Sequence, residues 1–509
     1  MLLITSDNRG IRLKKLTSAT LVALLVLSGG NTPAYSQMSK ETLQNKIITQ
    51  VNDFFPRIEG TFIGDPMPVY NEGVFNIFYL NDVRGGSDLG VHAIHLLSST
   101  NLYSYQNHSE VIPYVNNVDD PELLLGTGSI IKVGDIWHAW YTAHNENVFP
   151  VESVMHATSK DRLHWVKHPQ DTILPGDNYR GNDFRDPHVV WVEEKKEYWM
   201  LITTRSNGRG IIARYSSTDL KNWKDRGVFF DNDTISSNSN LECPSLVFFN
   251  GRWYLSFSDQ WPLRLTQYRV ADNPEGPWHK LDNYVVDGSG FYAGKLTIKD
   301  GRLFVFGWIP TKAGNNDTGN IDWAGNLVVH ELTADAKGQL NSIIPQELQQ
   351  AIKDNNGPIQ TIKPDKTLKT STQFGPLQSS VYPPLPKRGE LSATVDIPSS
   401  GMVMSFGLTD DNVSDAMLNV VFNRSKGKVY FFNSPLASIN QNNAESWVDI
   451  SLGDKIDLRV LIQNSIAVFY INGKAAFSTR MYSMQGKSWS ISLPQHDSFH
   501  PILKFKKMI

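Results

Sequence analysis

The sequence predicts an all-β protein, a five-bladed β-propeller followed by a C-terminal β-sandwich. Three observations lead there. One hairpin phrase occurs five times, a second phrase is interleaved with it at a near-constant period, and after about residue 367 the pattern changes to short alternating strands.

The hairpin phrase is an apolar run, a turn of the Asn-Gly, Asp-Gly or Gly-Asp type, and a second, aromatic-rich run. Asp65-Pro66-Met67-Pro68-Val69-Tyr70 turns through Asn71-Glu72-Gly73 into Phe75-Asn76-Ile77-Phe78-Tyr79. Gly128-Ser129-Ile130-Ile131 turns through Gly134-Asp135 into Trp137-His138-Ala139-Trp140-Tyr141, and Arg185-Asp186-Pro187-His188-Val189-Val190-Trp191 leads into Tyr198-Trp199-Met200-Leu201-Ile202. Glu242-Cys243-Pro244-Ser245-Leu246-Val247 passes Asn250-Gly251 into Trp253-Tyr254-Leu255-Ser256-Phe257, and Tyr292-Ala293-Gly294-Lys295-Leu296 passes Asp300-Gly301 into Leu303-Phe304-Val305-Phe306. Between them lie Ser99-Thr100-Asn101, Ser159-Lys160-Asp161 and Ser217-Thr218-Asp219, each closing on an aromatic. With Trp278 as a degenerate fourth copy, those aromatics stand 60, 58 and 55 residues apart. A fixed period of this size in an all-β chain means one four-stranded unit repeated around a channel.

The N-terminus carries Arg9, Arg12, Lys14 and Lys15, an apolar run from Ala19 to Leu27, and Ala34-Tyr35-Ser36 before Gln37. That is the pattern of a cleaved export signal, and its apolar run is shorter than the roughly 20 residues a membrane span needs. The expected organisation is a signal peptide at 1–36, an N-terminal segment at 37–59 with a helical stretch from Glu41 to Asn52, a propeller at 60–345, a linker at 346–366 opened by a brief helix from Gln346, and a sandwich at 367–509. The expected location is secreted or periplasmic. The first 36 residues hold four basic side chains and one acidic, so the remainder is net −6 against −3 for the whole chain. A mildly acidic surface without a basic block offers nothing to nucleic acid. Cys243, the single cysteine, excludes internal disulfides and reads as a small buried hydrophobe.

In a propeller the innermost strands line the channel, so Asp65, Asp186 and Glu242, at one phase of the repeat, are expected to face one another. Gathered carboxylates raise at least one pKa, which makes a neutral general acid beside an ionised carboxylate. Such a set suits glycoside cleavage.

Asp65-Pro66, Arg185-Asp186-Pro187 and Glu242-Cys243-Pro244, in this order and spacing, resemble the signature motifs of glycoside hydrolase family 32, the invertases, inulinases, levanases and fructan exohydrolases. Phe291-Tyr292-Ala293, Gly307-Trp308-Ile309, Trp323-Ala324-Gly325 and, in the second half, Val468-Phe469-Tyr470-Ile471-Asn472-Gly473 extend the resemblance over nearly the whole mature chain. The resemblance implies Asp65 as nucleophile, Glu242 as acid/base, Asp186 as transition-state stabiliser, and substrate contacts from Arg185, Tyr292, Trp308 and Trp323. It implies no metal and no cofactor, and a fructose-containing oligo- or polysaccharide as partner. The chain departs from the family's usual pattern at Gly64 and at Met67-Pro68, where members carry Asn and Asn-Gly, and at Leu80, where glutamine is common. Three alternatives stay open at this point: an inverting hydrolase of the arabinanase and xylosidase type, a fructosyltransferase, and a non-catalytic glycan-binding propeller. Linkage preference, endo or exo action and oligomeric state are likewise open.

Overall fold

In the computed structural model, which describes residues 49–372, 375–440, 444, 446–449, 453, 455–494 and 503–509, each repeated phrase is an antiparallel hairpin extended outward by further strands. After a short strand β1 (Thr49–Asn52), the first unit consists of β2 (Phe62–Asn71), β3 (Val74–Asp82), β4 (Ile94–Ser99) and β5 (Ser104–Ile112). The second is β6 (Leu124–Val133), β7 (Ile136–His144), β8 (Glu152–Ser159) and β9 (Trp165–Lys167). The third is β10 (Phe184–Val192), β11 (Glu197–Ser206), β12 (Arg209–Ser217) and β13 (Lys224–Asp231), and the fourth is β14 (Leu241–Phe249), β15 (Arg252–Asp259) and β16 (Thr266–Ala271). The fifth is β17 (Tyr292–Lys299), β18 (Arg302–Lys312), β19 (Ile321–Ala334) and β20 (Leu340–Ile343).

The leading strands of successive units lie side by side, β2 by β6, β6 by β10, β10 by β14 and β14 by β17, and β17 returns to β2. Gly325 of β19 also pairs with Ile63 of β2, which joins the last sheet to the first. The interleaved phrase is the turn between the third and fourth strands. Asp161 and Asp219 each accept two backbone N–H groups two and three residues on, and Asn101 does the same.

One expectation fails here. Thr49–Asn52, assigned to the end of a helix, is a strand paired with Ser104–Asn107, because the outer edge of β5 offers unpaired backbone groups that outweigh weak local helix propensity. The rest of the expected helical stretch, and the export signal, lie outside the described residues.

The helix α1 (Gln346–Asp354) buries Leu348 and Ile352. Beyond it, a six-stranded and a seven-stranded antiparallel sheet share one core, with Leu391, Leu458 and Phe469 from the first meeting Met404, Phe422 and Trp489 from the second. A further cluster contains Phe291, Leu303 and Val305 of the fifth unit together with Leu461, Val468 and Tyr470, so the two halves share apolar burial. Each such large side chain contributes about 1.5–3 kcal/mol when fully buried.

Candidate active site

The leading strand of every unit carries one extra residue at the same point. The register slips between Gly64 and Met67, Gly126 and Gly128, Arg185 and His188, Glu242 and Ser245, and Tyr292 and Lys295. In four of the five the bulge places a non-glycine residue at positive φ: Asp65 at 38°, Asp186 at 58°, Cys243 at 54° and Ala293 at 55°. Five bulges at one end of the ring of leading strands are what turn side chains there, and left-handed backbone at Asp or Cys is a strain that tertiary structure has to hold.

The bulges correct the expected phase. Asp65 and Asp186 are structurally equivalent, but their counterpart in the fourth unit is Cys243. Glu242 stands one residue earlier, opposite Ser258, where the third unit has Arg185 opposite Thr203 and the fifth has Tyr292 opposite Trp308. Simple alternation could not reveal this, because a bulge adds one residue to the count. Its consequence is a chain of partners around the ring. Arg185 Nη2 donates to Glu242 Oε1 at 3.0 Å, and the Tyr292 hydroxyl donates to Glu242 Oε2 at 2.5 Å.

The two aspartates sit at the other bulge position. Trp308 Nε1 donates to Asp65 Oδ1 at 2.9 Å, and Asp65 Oδ2 takes no hydrogen bond from the described residues. Burial pushes the Asp65 carboxyl up to about 6 against the Trp308 hydrogen bond, with the nearby Glu242 charge adding to the rise. Asp186 is 5% exposed, and its Oδ2 accepts the Cys243 backbone N–H at 2.9 Å. Burial raises its pKa too, opposed by Arg185 and reinforced by Glu242. Arg185 stays charged, because Glu152, Glu242, Asp186 and Asp183 outweigh the cost of its burial. It donates to Glu152 Oε2 at 3.2 Å and Asp183 Oδ1 at 3.1 Å besides Glu242.

Tyr292, Trp308 and Trp323 form an aromatic wall. The rings of Tyr292 and Trp308 meet edge to face at 5.7 Å, those of Trp308 and Trp323 at 6.1 Å, and His92 stacks on Trp323 at 4.2 Å. Here the departure at Gly64 acquires a physical reason. A Cβ on residue 64 would lie 2.3 Å from Cη2 of Trp323, so the indole fills the space that any side chain there would need. Leu80 is buried in the apolar cluster of Met67 and Phe78, which leaves no place for an amide.

All seven residues picked from the sequence are thus connected through direct contacts or adjacent bulge positions. Cys243 is buried among Tyr292, Ala293 and Trp308, and burial drives its thiol pKa well up, so it is not a thiolate nucleophile. Sequence reasoning missed Lys295, which is 2% exposed and donates to the Gly128 carbonyl and to Thr127 Oγ1 at 3.3 Å. Its charge lowers the pKa of both Asp65 and Asp186. The signal was present, a lysine inside an otherwise apolar or small-residue strand phrase. Glu152 and Thr142 were also missed, the latter accepting the Asp186 backbone N–H at 2.9 Å, and nothing local in the sequence marks either.

Carboxylates converging at one end of a ring of strands, beside an aromatic wall, are the equipment of a glycoside hydrolase. Family models agree: residues 59–343 match the glycosyl hydrolases family 32 N-terminal domain and residues 347–504 the glycosyl hydrolases family 32 C-terminal domain, and the chain belongs to that family. It is 26% identical over 400 residues to the Arabidopsis thaliana beta-fructofuranosidase, insoluble isoenzyme CWINV2, covering 66% of this chain and 63% of that protein. Against the sucrose-6-phosphate hydrolase of Escherichia coli it is 25% identical over 388 residues, covering 72% and 73%. The sucrose-6-phosphate hydrolase structure from Lactobacillus gasseri superposes with a TM-score of 0.70 at 18% identity, over 91% of this chain and 93% of that one, a likeness of fold.

Proposed function

We propose that this protein is a retaining β-fructosidase that releases fructose from fructans or fructosyl oligosaccharides through a covalent fructosyl-enzyme. The observation that carries the reading is the unequal dressing of the carboxyls. Asp65 is held on one oxygen by Trp308 and offers the other, whereas both oxygens of Glu242 are engaged, by Arg185 and Tyr292.

Asp65 attacks the anomeric carbon while Glu242 protonates the departing oxygen. Glu242 then takes a proton from water, which attacks the same carbon and frees Asp65. The Glu242 charge is among the causes that raise the Asp65 pKa, so the two carboxyls lie close enough to serve one anomeric centre. Asp186, pinned by the Cys243 N–H, holds sugar hydroxyls and stabilises positive charge at the anomeric centre. The aromatic wall packs against the sugar ring.

The same reading takes the five units as blades of one propeller at 60–345 and the two later sheets as a supporting sandwich at 367–509. Cleavage between Ser36 and Gln37 would deliver the enzyme outside the cytoplasm. Support for the substrate class comes from the names of the relatives, and for export from the N-terminal pattern alone. Incubating the mature chain with sucrose, inulin, levan and arabinan and following the first-formed product by NMR tests the proposal. Free fructose with retained anomeric configuration is expected; an inverted product, or activity on arabinan alone, overturns it.

A further inference from the structure

The C-terminal half reaches the strands that carry the aromatic wall through Arg480. Arg480 closes the strand Ala475–Arg480 and is 8% exposed. Its guanidinium donates to the Pro310 carbonyl at 2.5 Å, to the Ile309 carbonyl at 3.5 Å, to Asn326 Oδ1 at 2.5 Å and to Ser465 Oγ at 3.1 Å. Among the described residues no carboxylate lies within ion-pair distance, and burial lowers its pKa to about 10. A buried arginine neutralised only by dipoles is costly for an element that merely glues two domains together, since an apolar residue would do that better.

The place it grips is specific. Ile309 and Pro310 follow Trp308 on β18, and Asn326 lies opposite Ile309 on β19, with Trp323 at the start of the same strand. The β18–β19 ladder slips between Pro310 and Lys312, and proline has no N–H to give, so the ladder is weakest just past the tryptophan that hydrogen-bonds Asp65. Arg480 bridges both strands there. Asp317, in the loop beyond, accepts the Tyr482 and Ser483 backbone N–H groups at 2.5 and 3.0 Å, which ties the same hairpin down a second time.

We infer that Arg480 is a positioning residue for catalysis: through the Ile309 and Pro310 carbonyls it holds the Trp308 indole N–H on Asp65, so the C-terminal half sets the protonation of the nucleophile. The inference rests on the proposed role of Asp65. A planar fork with several donors suits this junction of carbonyls and amide, and a lysine ammonium cannot span it.

The test measures kcat, KM and the pH dependence of kcat/KM with p-nitrophenyl β-fructofuranoside at a temperature well below Tm, for Arg480→Lys, Trp308→Phe and the double variant. Trp308→Phe deletes the N–H and should move the acid limb upward by about one pH unit. Arg480→Lys should move it the same way by about half a unit, with kcat down roughly tenfold and KM changed less. In the Trp308→Phe background Arg480→Lys should move the limb no further. If Arg480→Lys yields no folded protein, Ser465→Ala, which removes one of the four bonds, replaces it with a smaller upward shift expected. Lowered Tm with a wild-type acid limb and kcat would overturn the inference and leave the Asp65 role standing. An acid limb unmoved by Trp308→Phe would instead sink the assignment of Asp65.

Discussion

Two aspartates in this molecule, one buried and one partly exposed, have opposite surroundings. Asp287, where the two halves meet, is 1% exposed and fully satisfied: Oδ1 accepts the Gly288 N–H at 2.5 Å and the Ser478 N–H at 2.7 Å, and Oδ2 accepts the Ser478 hydroxyl at 2.5 Å and His330 Nε2 at 2.8 Å. His330 passes the network on to the Tyr470 hydroxyl at 2.9 Å. Asp65 has one donor for two oxygens. A carboxylate with every oxygen engaged is architecture, whereas one held on a single oxygen keeps the other for chemistry. The difference teaches that a carboxylate with a free oxygen and some exposure, as proposed for the nucleophile, is set apart from a structural one by its partner count together with its exposure.

The largest effect should come from breaking the reactive side. Asp65→Ala should lose about 10⁴-fold or more in kcat/KM, measured on sucrose or inulin, because no covalent intermediate can form. Asp65→Asn should lose as much yet be more stable. With a folded pKa of about 6 against 3.8 unfolded, the native state binds the proton more tightly, so the charged form costs stability above pH 6 and not below about 4. The amide removes that cost, about 2–3 kcal/mol at neutral pH for two pKa units. Melting curves at pH 7.5 and pH 4 should show a gain in Tm at the first and none at the second. In the unaltered enzyme the same titration should remove kcat/KM as pH falls through about 6, where Asp65 becomes protonated and cannot attack.

Glu242→Ala comes next, at about 10²–10⁴-fold on a natural substrate. The loss should be far smaller for p-nitrophenyl β-fructofuranoside in the first step, since that leaving group needs little protonation. Azide, which needs no base, should restore turnover and appear in a retained product. Equal losses on both substrates with no azide effect would move the acid/base role to another residue.

The smallest effect on catalysis belongs to the satisfied aspartate. Tyr470→Phe leaves His330 Nδ1 without its buried partner, which costs about 1–3 kcal/mol of stability. Thermal unfolding should show a Tm lowered by a few degrees while kcat at 20 °C stays within twofold. A large loss of kcat in the folded variant would make the Asp287 network part of the reacting site and erase the distinction.

How much of this could be read from the chain follows the physics of each signal. Four of the five hairpins were legible because a glycine beside or near Asn or Asp, between β-branched and aromatic runs, admits few other conformations, while the third, turning through Glu193-Glu194-Lys195-Lys196, was legible from its flanking runs alone; the turn at Asn472-Gly473, at φ 55° and 57°, follows the glycine chemistry. The helix from Gln346 was legible from its composition. The exact phase of Glu242 was not, since a bulge leaves no trace in an apolar alternation. The strand at Thr49–Asn52 was not, because its only cause is a free edge contributed by residues more than fifty positions away. Gly64 stood out as a departure, but its reason lies in Trp323, far along the chain and visible only once β19 closes against β2.

The central claim is that Asp65 carries the sugar. Glu242→Ala slows release of the sugar from the enzyme, so mixing it with p-nitrophenyl β-fructofuranoside, quenching in acid and digesting for mass spectrometry asks the question directly. One hexosyl unit on the peptide containing Asp65, absent when azide is added before the quench, is the predicted result. An unmodified Asp65 peptide at a time when p-nitrophenol has been released stoichiometrically, or a sugar on any other residue, would contradict the account.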